Sequence, residues 1–232
     1  MNGVLMNYVN GRRIEVRSES RIPVYNPARG TLLSEIPDTS ADEVDRAVQA
    51  AKAAQVNWGK LPAIQRAAAL RKISAKIREN TDRIAKVIVE EQGKVRGLAE
   101  VEVAFTADYL DYMAEWARRI EGEIIQSDRP GESIFLHRQP IGVVAGILPW
   151  NFPFFLIARK LGPALVTGNT IVIKPSEETP INAGLFVDLL DGLDIPDGVI
   201  NIVFGSGRTT GDALTGHPDV GIISFTGSVE TG

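Results

Sequence analysis

The chain has 232 residues, 44% hydrophobic and 23% charged, a composition that builds the buried core of one large soluble domain or two small ones. Its net charge of −4 comes from interspersed acidic and basic residues, which leaves no basic stripe for nucleic acid, and no run reaches the roughly 18 apolar residues of a membrane span. It contains no cysteine, which excludes disulfides, thiolate metal sites and a thiol nucleophile among these residues.

The stretch 1–13 shows no apolar segment behind a basic start, so no secretory leader is read there and the cytosol is the expected compartment. The two histidines, His137 and His217, stand far apart without ligand spacing, and no metal site is expected.

Residues 5–25 read as short strands, with Tyr8-Val9 and Ile14-Glu15-Val16 flanking Asn10-Gly11, a strong hairpin signal. A turn at 26–30 leads into a strand at 31–36. The chain then becomes helical from 40 to 120. Ser40 followed by Glu43 is a capping-box pattern ahead of an Ala-rich run to Ala54. Pro62 suits a first helical turn before Ile64, Ala67, Ala68, Leu70, Ile73 and Ile77. A third helix runs from Asp82 to Glu91 and closes at Gly93, and a fourth, long one spans 95–120 with Val103, Tyr109, Leu110, Met113 and Trp116 on its apolar side. Residues 132–139 alternate like an exposed hairpin. From Gly142 the rhythm is strand and helix in turn: strands at 143–148, 170–174, 199–204 and 220–225, helices at 155–166, 182–190 and near 209–215. That alternation specifies an α/β fold, a Rossmann-like parallel sheet with helices on both faces, preceded by the helical segment and the hairpins. A further helix is due after the strand and turn that reach Gly232. The expectation is therefore an incomplete sheet that folds marginally and tends to associate.

In such sheets ligands sit beyond the carboxyl ends of the strands. The candidate residues all fall there: Leu148-Pro149-Trp150-Asn151-Phe152-Pro153, Lys174-Pro175-Ser176-Glu177, Gly205-Ser206-Gly207 and Phe225-Thr226-Gly227-Ser228. A carboxylate at Glu177 suits a ribose diol and repels a 2′-phosphate, while Lys174 donates to the ribose or supports a pyrophosphate. Both are also ordinary residue types for a solvated loop. Gly227-Ser228 opening a helix offers free N–H groups to a phosphate, although it is not the G-x-G-x-x-G fingerprint. Gly205 and Gly207 read equally as turn glycines. Two prolines flank Asn151 and fix the backbone around an amide that suits a developing oxyanion; Asn151 as a helix N-cap competes on spacing alone.

These motifs, in their order and intervals, resemble the aldehyde dehydrogenase superfamily over essentially the whole chain from Asn7 to Gly232. The stretches 100–109 and 121–132 are most similar to the lactaldehyde and glycolaldehyde dehydrogenase branch. The resemblance implies NAD as cofactor, a small aldehyde as substrate and a homo-oligomer. It implies that Asn151 is the oxyanion amide and that Lys174 and Glu177, with Ser176 between them, hold the adenine ribose. Ile147, Leu148, Trp150, Gly207, Gly211 and Phe225 would line the crevice, and Ser228 would meet the pyrophosphate. It also divides the chain into oligomerisation-type hairpins at 1–25 and 123–141 and a truncated NAD-binding domain at 26–122 and 142–232, without the catalytic domain. The family's cysteine nucleophile and general-base glutamate are not found here, so the chain alone is expected to be inactive. A non-catalytic nucleotide-binding or oligomer-docking module is the alternative. A short-chain oxidoreductase with a Tyr-Lys or His base finds no support, since Tyr109 and Tyr112 lie in the helical region.

Overall fold

The computed structural model describes residues 3–16 and 20–232; residues 1–2 and residues 17–19, the latter inside the stretch read as short strands, lie outside the described residues. Asn7–Val9 (β1) and Arg12–Ile14 (β2) form the hairpin around Asn10 and Gly11, whose φ angles of 51° and 73° suit a two-residue primed turn. Tyr8 pairs with Ile202, so β1 and β2 extend the central sheet instead of standing apart. The buried Asn7 side chain locks that seam, donating to Thr39 Oγ1 (2.9 Å) and accepting from the Phe204 N–H (2.9 Å).

Arg21–Tyr25 (β3) and Leu32–Pro37 (β4) make a separate two-stranded sheet. The Asn26 side chain shapes its turn by accepting from the N–H groups of Ala28 and Arg29. Four helices follow: Ala41–Trp58 (α1), Ala63–Glu79 (α2), Thr81–Gln92 (α3) and Arg96–Glu115 (α4). The capping pattern is realised, with Glu43 reaching back to the Ser40 N–H at 3.2 Å. The fourth helix is shorter than the sequence indicates. It tightens into one 3₁₀ turn at Trp116–Arg118, which releases the chain into an exposed ribbon of Glu123–Gln126 (β5) and Ser133–Leu136 (β6).

The remaining elements alternate: Val143–Ile147 (β7), Pro153–Val166 (α5), Thr170–Lys174 (β8), Ile181–Leu190 (α6), Ile200–Ile202 (β9), Asp212–Thr215 (α7) and Val220–Phe225 (β10). The central sheet runs β10-β7-β8-β9-β1-β2, with the first four strands parallel and the first hairpin antiparallel at the far edge. Period-2 alternation divides its faces. Val143, Ala145 and Val172 pack on α1 through Val44, Ala47, Val48 and Ala51. Val144, Ile171 and Ile173 face α5 and α6, behind which α2, α3 and α4 form a second helical layer. Among the described residues, no helix is long and apolar enough to cross a membrane.

Candidate functional site

The strand order fixes where a ligand crevice forms. From β7 the chain winds to β8 and β9 on one side, then returns to place β10 on the other side of β7. The winding direction reverses between β7 and β10, and the carboxyl ends of these two strands splay around the switch point. Ile147 and Leu148 end β7, Lys174 ends β8 and Phe225 ends β10, so the predicted residues on these strands do converge on one edge. Main-chain bonds stitch that edge together: the Leu148 N–H donates to Lys174 O (3.1 Å) and the Thr226 N–H to Ile147 O (3.2 Å).

Lys174 is buried, and its Nζ donates to Glu177 Oε2 at 3.0 Å. Glu177 Oε1 accepts the Gly207 N–H at 3.2 Å, which brings the β8 end and the loop after β9 into contact. Burial raises the Glu177 carboxyl, but the Lys174 charge and the donated N–H groups outweigh it and hold the group below its usual range. The Glu177 carboxylate therefore keeps its charge at neutral pH. Ser176 is buried beside it and accepts from the Glu178 N–H, while Gly211 lies against the Lys174 side chain. A carboxylate with spare lone pairs next to an ammonium matches the two hydroxyls of a ribose, so the donor set fits the nucleoside end of a dinucleotide.

The Gly207 loop has its own support. Asp38, at the end of the β3–β4 unit, accepts from the Ser206 N–H (2.8 Å) and from the Ser206 and Thr210 hydroxyls. Burial raises its carboxyl, yet those donors bring it below the usual value. Gly205 adopts φ 151°, and a Cβ there would lie 1.9 Å from Thr210 Oγ1, so no side chain fits.

Asn151 is exposed, and the N-cap of α5 is Phe152, so the capping alternative for Asn151 does not hold. Trp150 is also exposed and shares a hollow of about 440 Å³ with Glu177, Glu178, Thr179 and Gln92. Phe225 packs its ring against Gly227 and Gly232. Ser228 is the predicted residue least joined to the others. It forms a local turn, its hydroxyl 2.7 Å from Thr231 Oγ1 and its carbonyl accepting the Gly232 N–H.

Lys160 escaped the sequence reading. This largely buried lysine of α5 donates to Thr226 Oγ1 at 2.7 Å, across the switch point, and burial lowers its pKa. A lysine inside the apolar run 153–166 was the available signal. Glu91, Lys94 and Glu102 were missed as well: both glutamates are buried, although each sits on a helix face shared with core residues.

The strand order, with helices on both faces and residues gathered at the carboxyl ends of its parallel strands, defines a Rossmann-type α/β domain. The family model described as the aldehyde dehydrogenase family matches residues 14–232, and the chain belongs to that family. Lactaldehyde dehydrogenase of Escherichia coli (strain K12) is 59% identical over 225 residues, which are 97% of this chain and 47% of that protein. The crystal structure of lactaldehyde dehydrogenase from Escherichia coli superposes with a TM-score of 0.98 at 57% identity, covering 100% of this chain and 48% of that one. The structure of PnpE in complex with nicotinamide adenine dinucleotide gives a TM-score of 0.94 at 40% identity, over 98% of this chain and 47% of that one. The chain thus spans about half the length of the relatives it matches.

Proposed function

We propose that this chain is the cofactor-binding part of an NAD-dependent dehydrogenase that oxidises small hydroxyaldehydes, such as lactaldehyde or glycolaldehyde, to the acid. The observation that carries the cofactor reading is the Lys174–Glu177–Gly207 cluster at the strand ends, in which the Glu177 carboxylate favours a free 2′-hydroxyl over a 2′-phosphate. The similarity to lactaldehyde dehydrogenase carries the substrate reading. NAD, when bound, supplies the hydride acceptor. Lys174 and Glu177 hold the ribose, with Ser176, Gly207 and Gly211 around them. Ile147, Leu148, Trp150 and Phe225 wall the crevice, and Ser228 meets the pyrophosphate. Asn151 donates its amide to the oxygen that gains charge when a nucleophile adds to the aldehyde.

These 232 residues hold no thiol to make that attack, so the chain alone binds NAD without turning over aldehyde. The exposed apolar residues of the β5–β6 ribbon, Ile124 and Phe135 foremost, support assembly with further copies. Calorimetric titration with NAD and NADP, beside an NADH-formation assay on lactaldehyde and glycolaldehyde, tests the reading. Binding of NAD without turnover is expected; absence of binding, or turnover by the chain alone, would overturn it. In a protein that joins these residues to a thiol-bearing half, Asn151→Ala is expected to lower kcat by about 10²–10³ with NAD affinity unchanged.

A further inference from the structure

The segment that carries Asn151 is gripped from outside the sheet. Helix α5 starts at Pro153 behind Phe152, which has no side-chain oxygen to cap the first turn. Its free N–H groups are satisfied in trans, because Phe154 and Phe155 both donate to Glu102 Oε1, at 2.8 and 3.2 Å. The other oxygen of Glu102 accepts from Lys94 Nζ at 2.5 Å. Lys94 then reaches the segment twice more. Its Nζ donates to the Asn151 carbonyl at 3.1 Å and lies 4.3 Å from the centre of the Phe152 ring. Gln92 Nε2 holds the same carbonyl at 2.7 Å.

Glu102 is fully buried and the Lys94 side chain only 10% exposed. An ion pair so placed is a poor device for stability, since removing two charges from water offsets most of their attraction. Its geometry is better explained by what it holds. The main chain of residue 151 is pinned by two donors and residues 154–155 by one carboxylate, while the Asn151 side chain makes no hydrogen bond among the described residues. The backbone is fixed and the amide is left uncommitted.

We infer that Lys94 and Glu102 are positioning residues for Asn151: a buried clamp, anchored on the helical layer, that fixes the backbone from which the amide is presented. The inference rests on the oxyanion role given to Asn151, and it adds that an amide in that role must be rigid before substrate arrives. A purely structural pair would cap α5 and leave the mobility of Asn151 unaffected by loss of the cation.

The test uses the full chain labelled with ¹⁵N at asparagine and phenylalanine. The Asn151 resonances are identified by their loss in Asn151→Asp. In the unaltered chain the main-chain amides of Asn151 and Phe152 are expected in the rigid range, with order parameters near about 0.85. In Lys94→Met they are expected to fall below about 0.6, and the Asn151 side-chain pair to sharpen with them. Lys94→Arg, which keeps the cation and its donors, is expected to restore rigidity. Unchanged order in Lys94→Met, or failure of the arginine to rescue it, would overturn the clamp. Should Lys94→Met not fold, Gln92→Leu removes the second grip on the same carbonyl; partial loosening of Asn151 supports the clamp and unchanged order refutes it. The kinetic test of Asn151→Ala fails or succeeds independently, so a rigid clamp around a catalytically idle amide would be recognised as such.

Discussion

Replacing Glu177 by Gln removes one negative charge from the ribose end of the crevice while keeping the side chain's size. Two unit charges about 4 Å apart interact by about 4 kcal/mol at an effective dielectric constant near 20. The Glu177 side chain is 34% exposed, so solvent screens that figure to about 1–2 kcal/mol. Repulsion of a 2′-phosphate should relax by that amount, which is a factor of about 5–30 in favour of NADP. NAD loses a hydrogen bond to a charged acceptor, worth about 1.5–3 kcal/mol, and its affinity should drop at least about tenfold. The ratio of the NADP and NAD dissociation constants should therefore narrow by well over tenfold. Calorimetry on both chains measures it, with thermal unfolding alongside, because the substitution leaves Lys174 buried with a weaker partner. An unchanged ratio in a folded variant would refute the ribose role of Glu177 and the charge argument with it.

Four other substitutions address the scaffold. Glu91 is fully buried; burial drives its carboxyl from 4.5 up to about 8 despite three donors at the start of α6. A raised carboxyl contributes its full stability below about pH 4.5 and loses it as pH climbs toward 8, so urea midpoints should decline across that window and flatten in Glu91→Gln. Gly205→Ala forces a Cβ to within 1.9 Å of Thr210 Oγ1 and should lower both Tm and NAD affinity; equal values would show the loop to be pliable. Asp38→Asn weakens the brace on the Gly207 loop, with an expected several-fold loss of NAD affinity by calorimetry and little change in Tm. Arg66 is buried and donates to the carbonyls of Val166, Leu61 and Gly59; Arg66→Met strands them and should cost about 2–4 kcal/mol in urea unfolding.

Local patterns made most of this structure legible in the sequence. The strand at 143–147 shows as an apolar run and its parallel neighbours as mostly apolar ones, Asn10-Gly11 specifies its turn, and Ser40 with Glu43 specifies the start of α1. What stayed hidden depends on long-range partners. The antiparallel seam between Tyr8 and Ile202 joins residues nearly two hundred apart, and no short-range signal separates a hairpin that docks on a sheet from one that stands free. The same holds in the site. Lys174 and Glu177 leave one strand end and could be paired by eye, whereas the Asp38 brace on residue 206 and the Glu102 contact with residues 154–155 need the folded chain.

The two buried glutamates have a joint consequence for anion binding. In dinucleotide folds the pyrophosphate usually sits at the amino end of the helix after the first strand, drawn by free N–H groups and the helix dipole. Here that end of α5 is filled by Glu102, and the end of α6 by Glu91. Each carboxylate takes up the donors a phosphate would need. At those two helix starts the N–H groups of residues 154, 155, 181 and 182 already have carboxylate acceptors. The crevice edge with a cation to spare is the end of β10, where Lys160 reaches Thr226 next to Gly227 and Ser228. Lys160→Met should therefore weaken NAD binding and reduce its dependence on salt, by calorimetry at two ionic strengths, while Glu102→Gln should leave that salt dependence as it is. The opposite pattern would put the phosphates back at α5.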